Sequence, residues 1–195
     1  MRFSNLNDWL DCQSQLHLKS IDLGLERVSA VWSKLHPEKL HSFVITVAGT
    51  NGKGSSVAML ESILLSGGYQ VGCYTSPHLV QYNERIRLNG ENASDQQICE
   101  AFAAIDESRG EISLSYFEFG TLAALYLFSQ TAPDVVILEV GLGGRLDAVN
   151  IIDADAALIT AIDIDHQNWL GDNREDIGRE KAGILRHGQQ AVFSG

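Results

Sequence analysis

Apolar positions recur at helical spacing in two stretches near the start of the chain. Leu6, Trp9, Leu10 and Leu16 form the first set, and Leu25, Val28, Val31, Trp32 and Leu35 the second; they predict helices over 5–19 and 24–36. Pro37 is placed to close the second helix. Between them, Ser20-Ile-Asp-Leu-Gly24 mixes apolar and polar residues in a way unusual for a plain linker. A different pattern begins at Phe43. Phe43–Val47 is a β-branched run with no alternation of apolar and polar positions, the signature of a strand buried on both faces. Similar runs follow at Gln70–Tyr74, Asp134–Val140, Ala156–Ile162 and Gln190–Phe193, with a shorter strand at Glu84–Leu88 that turns at Asn89-Gly90. Helical patterns separate them: 55–65 with a stop at Gly67-Gly68, a helix capped by Ser94, the strongly apolar Ser115–Gln130, and Asp172–Leu185. Such an order predicts an α/β fold, a mostly parallel sheet flanked by helices.

In a parallel sheet, ligands sit at the carboxyl ends of the strands. Four polar clusters follow the first strands: Gly49–Ser55, Thr75-Ser76-Pro77-His78, Glu139–Arg145 and Asp163-Ile-Asp-His166. All four should therefore line one edge. The first carries glycines at 49, 52 and 54 around a single lysine, Lys53, between a strand and a helix. Glycines let backbone N–H groups approach phosphate oxygens, the helix N-terminus adds partial positive charge, and Lys53 adds a full one. Ser55 or Ser56 can offer a hydroxyl to a phosphate or its Mg²⁺. The strict Walker pattern fails, because Val47 stands where Gly is expected and Gly54 follows the lysine. The reading is a nucleotide phosphate site of a variant kind.

Glu139, at the end of an apolar strand, is a candidate Mg²⁺ ligand beside that loop, and Ser76 and His166 come from neighbouring strand ends. On residue type alone His166 reads as a core histidine, its place in Asp-x-Asp-His at a sheet edge makes a ligand equally apt, and Lys181 reads as a solvated helix lysine. The aromatics Tyr116, Phe117 and Phe119 are core by default, or one wall of a pocket for a flat ring.

Bulk properties narrow the function classes. The 195 residues fit one domain, and the formal charge is −11, from 14 basic and 25 acidic residues. No basic stripe is present, so nucleic-acid binding is not expected. Much of the acidity falls in Glu91–Glu111 and Asp147–Asp176. No apolar run is long enough to span a membrane, the first residues lack a signal-peptide core, and the three cysteines have no metal or disulfide spacing. A reducing cytoplasm is the expected setting. The chain stops at Phe193-Ser-Gly195 just after a strand, which reads as a cut.

Seven stretches together resemble one family: Ile21–Val28, Val47–Ser55, Tyr74–Leu79, Tyr116-Phe-Glu118, Leu138–Ala148, Asp165-His166 and Ile177–Gly183. In order and spacing they look like folylpolyglutamate synthase and dihydrofolate synthase of the Mur ligase superfamily, in the bifunctional bacterial form. The match runs from about residue 15 to the end. It implies a P-loop NTPase-like Mur ligase central domain over 1–195, including N-terminal helices within 1–40, with the C-terminal glutamate-binding domain absent. It also implies ATP-dependent joining of L-glutamate to dihydropteroate and to folates through an acyl phosphate, by a protein that is monomeric at full length.

Carried over by motif, Gly49, Thr50, Asn51, Gly52, Lys53, Gly54 and Ser55 hold ATP's phosphates. Ser76 and Glu139 ligate one Mg²⁺ and His166 a second. Lys181 matches a lysine that becomes carbamylated. Asp22, Leu23, Gly24 and Leu25, then Ser115, Tyr116, Phe117 and Glu118, then Leu146, Asp147 and Ala148, match the pterin pocket. Lys53, His166 and Lys181 are the residues carried over as catalytic. Val149 departs from the family's threonine at that position, a mild change. The missing C-terminal domain is more serious, and the isolated chain is expected to bind nucleotide weakly without completing ligation. Two other readings remain: another Mur-type amino-acid ligase, and a non-catalytic nucleotide-binding module.

Overall fold

The computed structural model describes residues 2–19, 21–35 and 40–194, so the expectations for Ser20 and Pro37 fall outside the described residues. Helix α1 (Leu6–Leu16) opens at Asn5, whose side-chain oxygen accepts the Asp8 N–H, and α2 (Glu26–Leu35) follows. The sheet then begins with β1 (Phe43–Ala48), α3 (Lys53–Ser66) and β2 (Val71–Tyr74). A 3₁₀ turn over Tyr82–Arg85 leads into the hairpin β3 (Ile86–Leu88) and β4 (Glu91–Asn92). Helices α4 (Asp95–Arg109) and α5 (Tyr116–Thr131) precede β5 (Val135–Glu139). The last part holds β6 (Ala156–Ile159), the single-turn α6 (Gln167–Leu170), α7 (Arg174–Ala182) and β7 (Gln190–Phe193).

The seven strands form one sheet in the order β4-β3-β2-β5-β1-β6-β7. The strands from β2 to β7 in that order are parallel to one another, and β3 and β4 run antiparallel at one edge. β1 lies at the centre of the five parallel strands, with Val47 opposite both Glu139 and Leu158. Every residue of β5 is buried, which explains its unalternating sequence. One face is covered by α1, α2, α4 and α5, whose Trp9, Phe102, Phe119, Leu122 and Phe128 are fully buried; α3 covers the other through Val57, Leu60 and Leu64. The contact with α5 is close: a Cβ on Gly72 in β2 would lie 2.7 Å from the Phe128 ring. Among the described residues no helix is long and apolar enough to cross a membrane.

Capping chemistry sets several boundaries. Ser94 and Gln97, and Ser115 and Glu118, form reciprocal capping boxes, so Ser115 is the cap of α5 rather than its first residue. Gly67 and Gly68 end α3 as expected, and Asn89 and Gly90 turn with positive φ (53° and 81°), the two-residue hairpin geometry. Four expected bounds need correction: the helix placed over 5–19 ends at Leu16, the strand placed over 156–162 ends at Ile159, and two others change as follows. The strand at 84–88 begins only at Ile86, because the Glu84 carboxylate accepts the N–H groups of Leu79, Val80 and Gln81 and closes a 3₁₀ turn instead. The helix placed over 172–185 is shorter, since Asn173 caps it and Gly183 ends it.

The core makes a direct stability prediction. Ile137 in β5 is fully buried between the two helical layers, while Val192 in edge strand β7 is 62% exposed. Ile137→Ala should lower unfolding stability by about 2–5 kcal/mol. Val192→Ser should change it by no more than about 0.5 kcal/mol. Urea titration of both variants measures the contrast.

Candidate functional site

The loop from Gly49 to Gly52 leaves the central strand and turns into α3. A side chain on Gly49 (φ 153°) would collide with the Thr160 hydroxyl, so backbone and β6 approach closely there. That hydroxyl lies 2.8 Å from the Asn51 carbonyl and 3.1 Å from that of Ala48, and it donates to the loop. The Thr50 hydroxyl donates to the Asp163 carbonyl and accepts the Asp163 N–H, both at 3.0 Å. The loop is thus pinned from below and from one side. Gly52 (φ 85°) caps α3 without a side chain, and the first intrahelical bond of the turn is Ser56 N–H to the Gly52 carbonyl. The amides of Lys53, Gly54 and Ser55 precede it and are open to an anion. Lys53 Nζ folds back onto the Gly49 and Thr50 carbonyls, at 2.9 and 3.3 Å.

The other three clusters meet this loop. Glu139 is 5% exposed, and its Oε2 accepts the Ser76 N–H at 3.1 Å, so the ends of β5 and β2 are joined. Burial pushes the Glu139 carboxyl up; the Ser76 N–H and the nearby Lys53 charge act against it. His166 (φ 49°) has a half-exposed side chain whose Nε2 lies 3.6 Å from Asp165, which removes the core-histidine reading. It shares a small recess with Gly49, Thr50, Lys53, Asp165 and Lys181. Lys181 is not a solvated lysine. It is 4% exposed, and its Nζ donates to the Gly49 carbonyl at 2.9 Å, the same oxygen that Lys53 uses. Desolvation, followed by the charge of Lys53, pulls its pKa down to about 8.

Among the described residues no group of three or more His, Cys, Asp or Glu side chains converges on a cation position. The donors present still fit Mg²⁺, which is commonly held by one or two carboxylates with phosphate oxygens and water completing the octahedron. Glu139 with Ser76 is one such partial set, beside the loop amides, and His166 with Asp165 is another across the recess.

A cleft of about 300 Å³ opens next to Ser76 and His166. Asp22, Leu23 and Gly24 line it from the segment before α2, and Ser115 to Glu118 from the start of α5. Leu146, Asp147 and Ala148 supply a third wall. Leu25 does not line it; its carbonyl accepts the Ser29 N–H as α2 begins. Arg27, which the motif reading left without a role, binds two of the walls together. Its Nη1 lies 2.8 Å from Asp22 Oδ2, its Nη2 3.0 Å from Glu118 Oε1, and the Asp22 carbonyl accepts from Nη2. The hydrogen bond from Lys19, with further help from His17 and Arg27, holds the Asp22 carboxyl below its usual value. Thr160 and Arg27 are the two structural supports that motif reading missed. A hydroxyl ending a strand and an arginine inside a recognised motif were the available signals.

Asp147 is buried, and its oxygens accept the Leu142 and Val149 N–H groups at 2.8 and 3.1 Å. Burial outweighs those bonds and raises its pKa to about 7. A raised pKa means the folded state keeps this proton after the unfolded chain has lost it, so the stability it contributes is full below about pH 4 and falls away as pH rises to 7. Asp147→Asn should therefore flatten the decline in unfolding stability between pH 5 and 7.5 relative to the parent chain. Urea titrations at the two pH values check the difference in slope.

Residues 47–193 match the family model described as Mur ligase middle domain. The chain is 58% identical over 189 residues to the dihydrofolate synthase/folylpolyglutamate synthase of Escherichia coli K12, covering 97% of this chain and 45% of that protein. It is 56% identical over 192 residues to the counterpart from Haemophilus influenzae, covering 97% and 43%. Among solved structures, E. coli FolC in complex with DHPP and ADP superposes with a TM-score of 0.95 at 57% identity, over 97% of this chain and 46% of that one. A bifunctional folylpolyglutamate synthase/dihydrofolate synthase from Yersinia pestis complexed with AMPPNP and Mn gives 0.92 at 55% identity, over 97% and 46%. The chain thus spans a little under half the length of the curated relatives it matches. With the family model covering most of the chain and the sheet order accommodating it, this protein belongs to the Mur ligase family through its middle domain.

Proposed function

We propose that the chain is the ATP-binding part of a ligase that joins L-glutamate to dihydropteroate and to folates. The observation that carries this is the convergence of an anion-binding loop, a buried carboxylate and an aromatic-walled cleft on one rim of the sheet. The names of the relatives at 58% and 56% identity support the same chemistry.

In the proposed reaction, a carboxylate oxygen of the pterin substrate attacks ATP's γ-phosphorus. The bond to the bridging oxygen breaks, and ADP leaves. The glutamate amine then attacks the acyl carbon, loses a proton, and inorganic phosphate departs as the amide forms. Phosphoryl transfer to an anionic acceptor needs positioning and charge neutralisation above all. The loop amides and Lys53 would hold the β- and γ-phosphates, and Ser76, Glu139 and His166 would hold one or two Mg²⁺. Bound there, the metal neutralises phosphate charge. Asp147, holding its proton near neutrality, can donate to a ring nitrogen or accept from an amino group of the pterin. The glutamate site is assigned to the part of the relatives' length that this chain does not span.

Lys181 would act as a carbamate. Its lowered pKa supplies the neutral amine that adds to CO₂, releasing one proton. The resulting anion would replace the repulsion between Lys181 and Lys53 by attraction. We assign the protein to the cytoplasm as a monomer at full length, with no nucleic-acid partner.

With the full-length protein, phosphate release from ATP should require both dihydropteroate and glutamate; release independent of both would overturn the ligase reading. Lys53→Met should lower the turnover by about a hundred- to a thousandfold, the loss typical of one electrostatic stabiliser. Gly49→Ala should weaken ADP binding to the chain by about tenfold or more, some 1.4 kcal/mol, because the loop must move off Thr160; isothermal titration measures it.

A further inference from the structure

The chain has nine arginines, and eight of them face an Asp or Glu: Arg2 and Arg109 share Asp106, Arg27 holds Asp22 and Glu118, and Arg87 holds Glu61. Arg145, Arg174, Arg179 and Arg186 face Glu180, Asp163, Asp176 and Asp153. Arg85 is the exception among the described residues. In a chain with 25 acidic residues against 14 basic ones, an arginine left without a carboxylate marks a place where an external anion would be favoured.

Its surroundings are built rather than incidental. The guanidinium lies between two tyrosine rings, 5.5 Å from the centroid of Tyr82 and 5.6 Å from that of Tyr116. Nε donates to His78 Nδ1 at 2.8 Å, so the plane of the group is fixed without a carboxylate. Tyr82 is buried and Tyr116 is partly buried, which leaves the arginine little freedom to swing away. The guanidinium also hydrogen-bonds the Tyr74 hydroxyl. None of these anchors is a carboxylate, and the fork of N–H donors that remains suits the oxygens of one.

The position is also informative. Arg85 lines the same cleft as Asp147, Phe117 and Ser76. Its own carbonyl accepts the Thr75 N–H at 2.9 Å, one residue before Ser76, which is tied to Glu139. The other cations nearby are committed: Arg27 to two carboxylates, Lys53 and Lys181 to the Gly49 carbonyl.

We propose that Arg85 is the receptor for the carboxylate of the acid substrate, gripping it beside Ser76 where it would meet the terminal phosphate. The assignment rests on the cleft being the acid-substrate site, and it adds to that reading a residue outside the recognised motifs. A planar aromatic acid satisfies both the apolar walls and the guanidinium.

The test is the binding of pteroate and of its uncharged carboxamide to the chain, by isothermal titration. The parent chain should prefer the acid by about tenfold or more, a factor that salt reduces. Arg85→Met, which keeps an apolar stem between the tyrosines, should bind the two compounds alike, and Arg85→Lys should keep part of the preference. ADP affinity, set at the loop, should be unchanged in both variants and reports an intact fold; if Arg85→Met loses it, Arg85→Lys alone decides. Equal binding of acid and amide by the parent chain, or an undiminished preference in the folded variants, would overturn the role of Arg85 and leave the cleft reading standing. Failure of the parent chain to bind either compound would overturn both.

Discussion

The register of three parallel strands is the constraint on which the rest depends. β1 lies between β5 and β6 with Val47 opposite Glu139 and Ala48 opposite Ile159. Parallel pairing brings these strands to an end at one level, so the next residues along each, Gly49, Val140 and Thr160, come side by side. A one-residue slip in either ladder would exchange the faces of every side chain on that strand. Glu139 would then point away from the loop, and Thr160 would no longer lie beneath Gly49. Burial of β5 along its whole length and of β1 from Thr46 to Ala48 makes such a slip expensive, so the core fixes the site's geometry before any site residue contributes. The close approach of the Gly49 backbone to Thr160 is the visible result.

Charge is distributed against the trend of the whole chain. The overall balance is strongly acidic, yet Lys53 and Lys181 both donate to one carbonyl, which places their ammonium groups at most about 6 Å apart. Two unit charges at that distance repel by roughly 3 kcal/mol at an effective dielectric of about 20. Desolvation of Lys181 adds to the cost. A local concentration of positive charge of this kind is unfavourable for a ligand-free fold and favourable for one that receives a polyphosphate. It would let an acidic protein hold the proposed anionic ligand: the relevant field is set within a few ångströms, not by net charge.

Much of this was legible in the sequence. Unalternating β-branched runs located β1, β2 and β5, and the polar clusters after them were placed on one edge, where the Glu139–Ser76 bond and the recess shared by Lys53 and His166 put them. The cap at Ser94 was read from the sequence, whereas Ser115 was taken as the first helical residue although Glu118, three residues on, completes its capping box. Lys181 was not readable from its own helix. α7 is polar along most of its length and shows no apolar face that would mark one lysine as buried. Its burial comes with the approach of the loop that begins at Gly49, more than a hundred residues earlier in the chain. Arg85 was hidden for a different reason. It sits in a stretch that reads as a strand, and only the grip of the Glu84 carboxylate on three backbone amides turns that stretch into a 3₁₀ segment.

Supports to which the motif reading gave no role explain why the motif residues hold their places. Asp22 and Glu118 lie on separate segments, and two carboxylates lining one cleft would repel if left alone. Arg27 between them converts that repulsion into a clamp, and the buried Glu118 also accepts the Ser115 N–H, so the cap of α5 and the wall of the cleft are one structure. Removing one partner of a buried charge pair costs more than the pair contributes, because the remaining charge is stranded. Loss of Arg27 would therefore loosen the cleft at two walls at once, although it need not touch any ligand. The same logic applies to Thr160 beneath the loop. A site proposed to hold a polyphosphate and an acid in one orientation would depend on such second contacts as much as on the residues that reach the ligands.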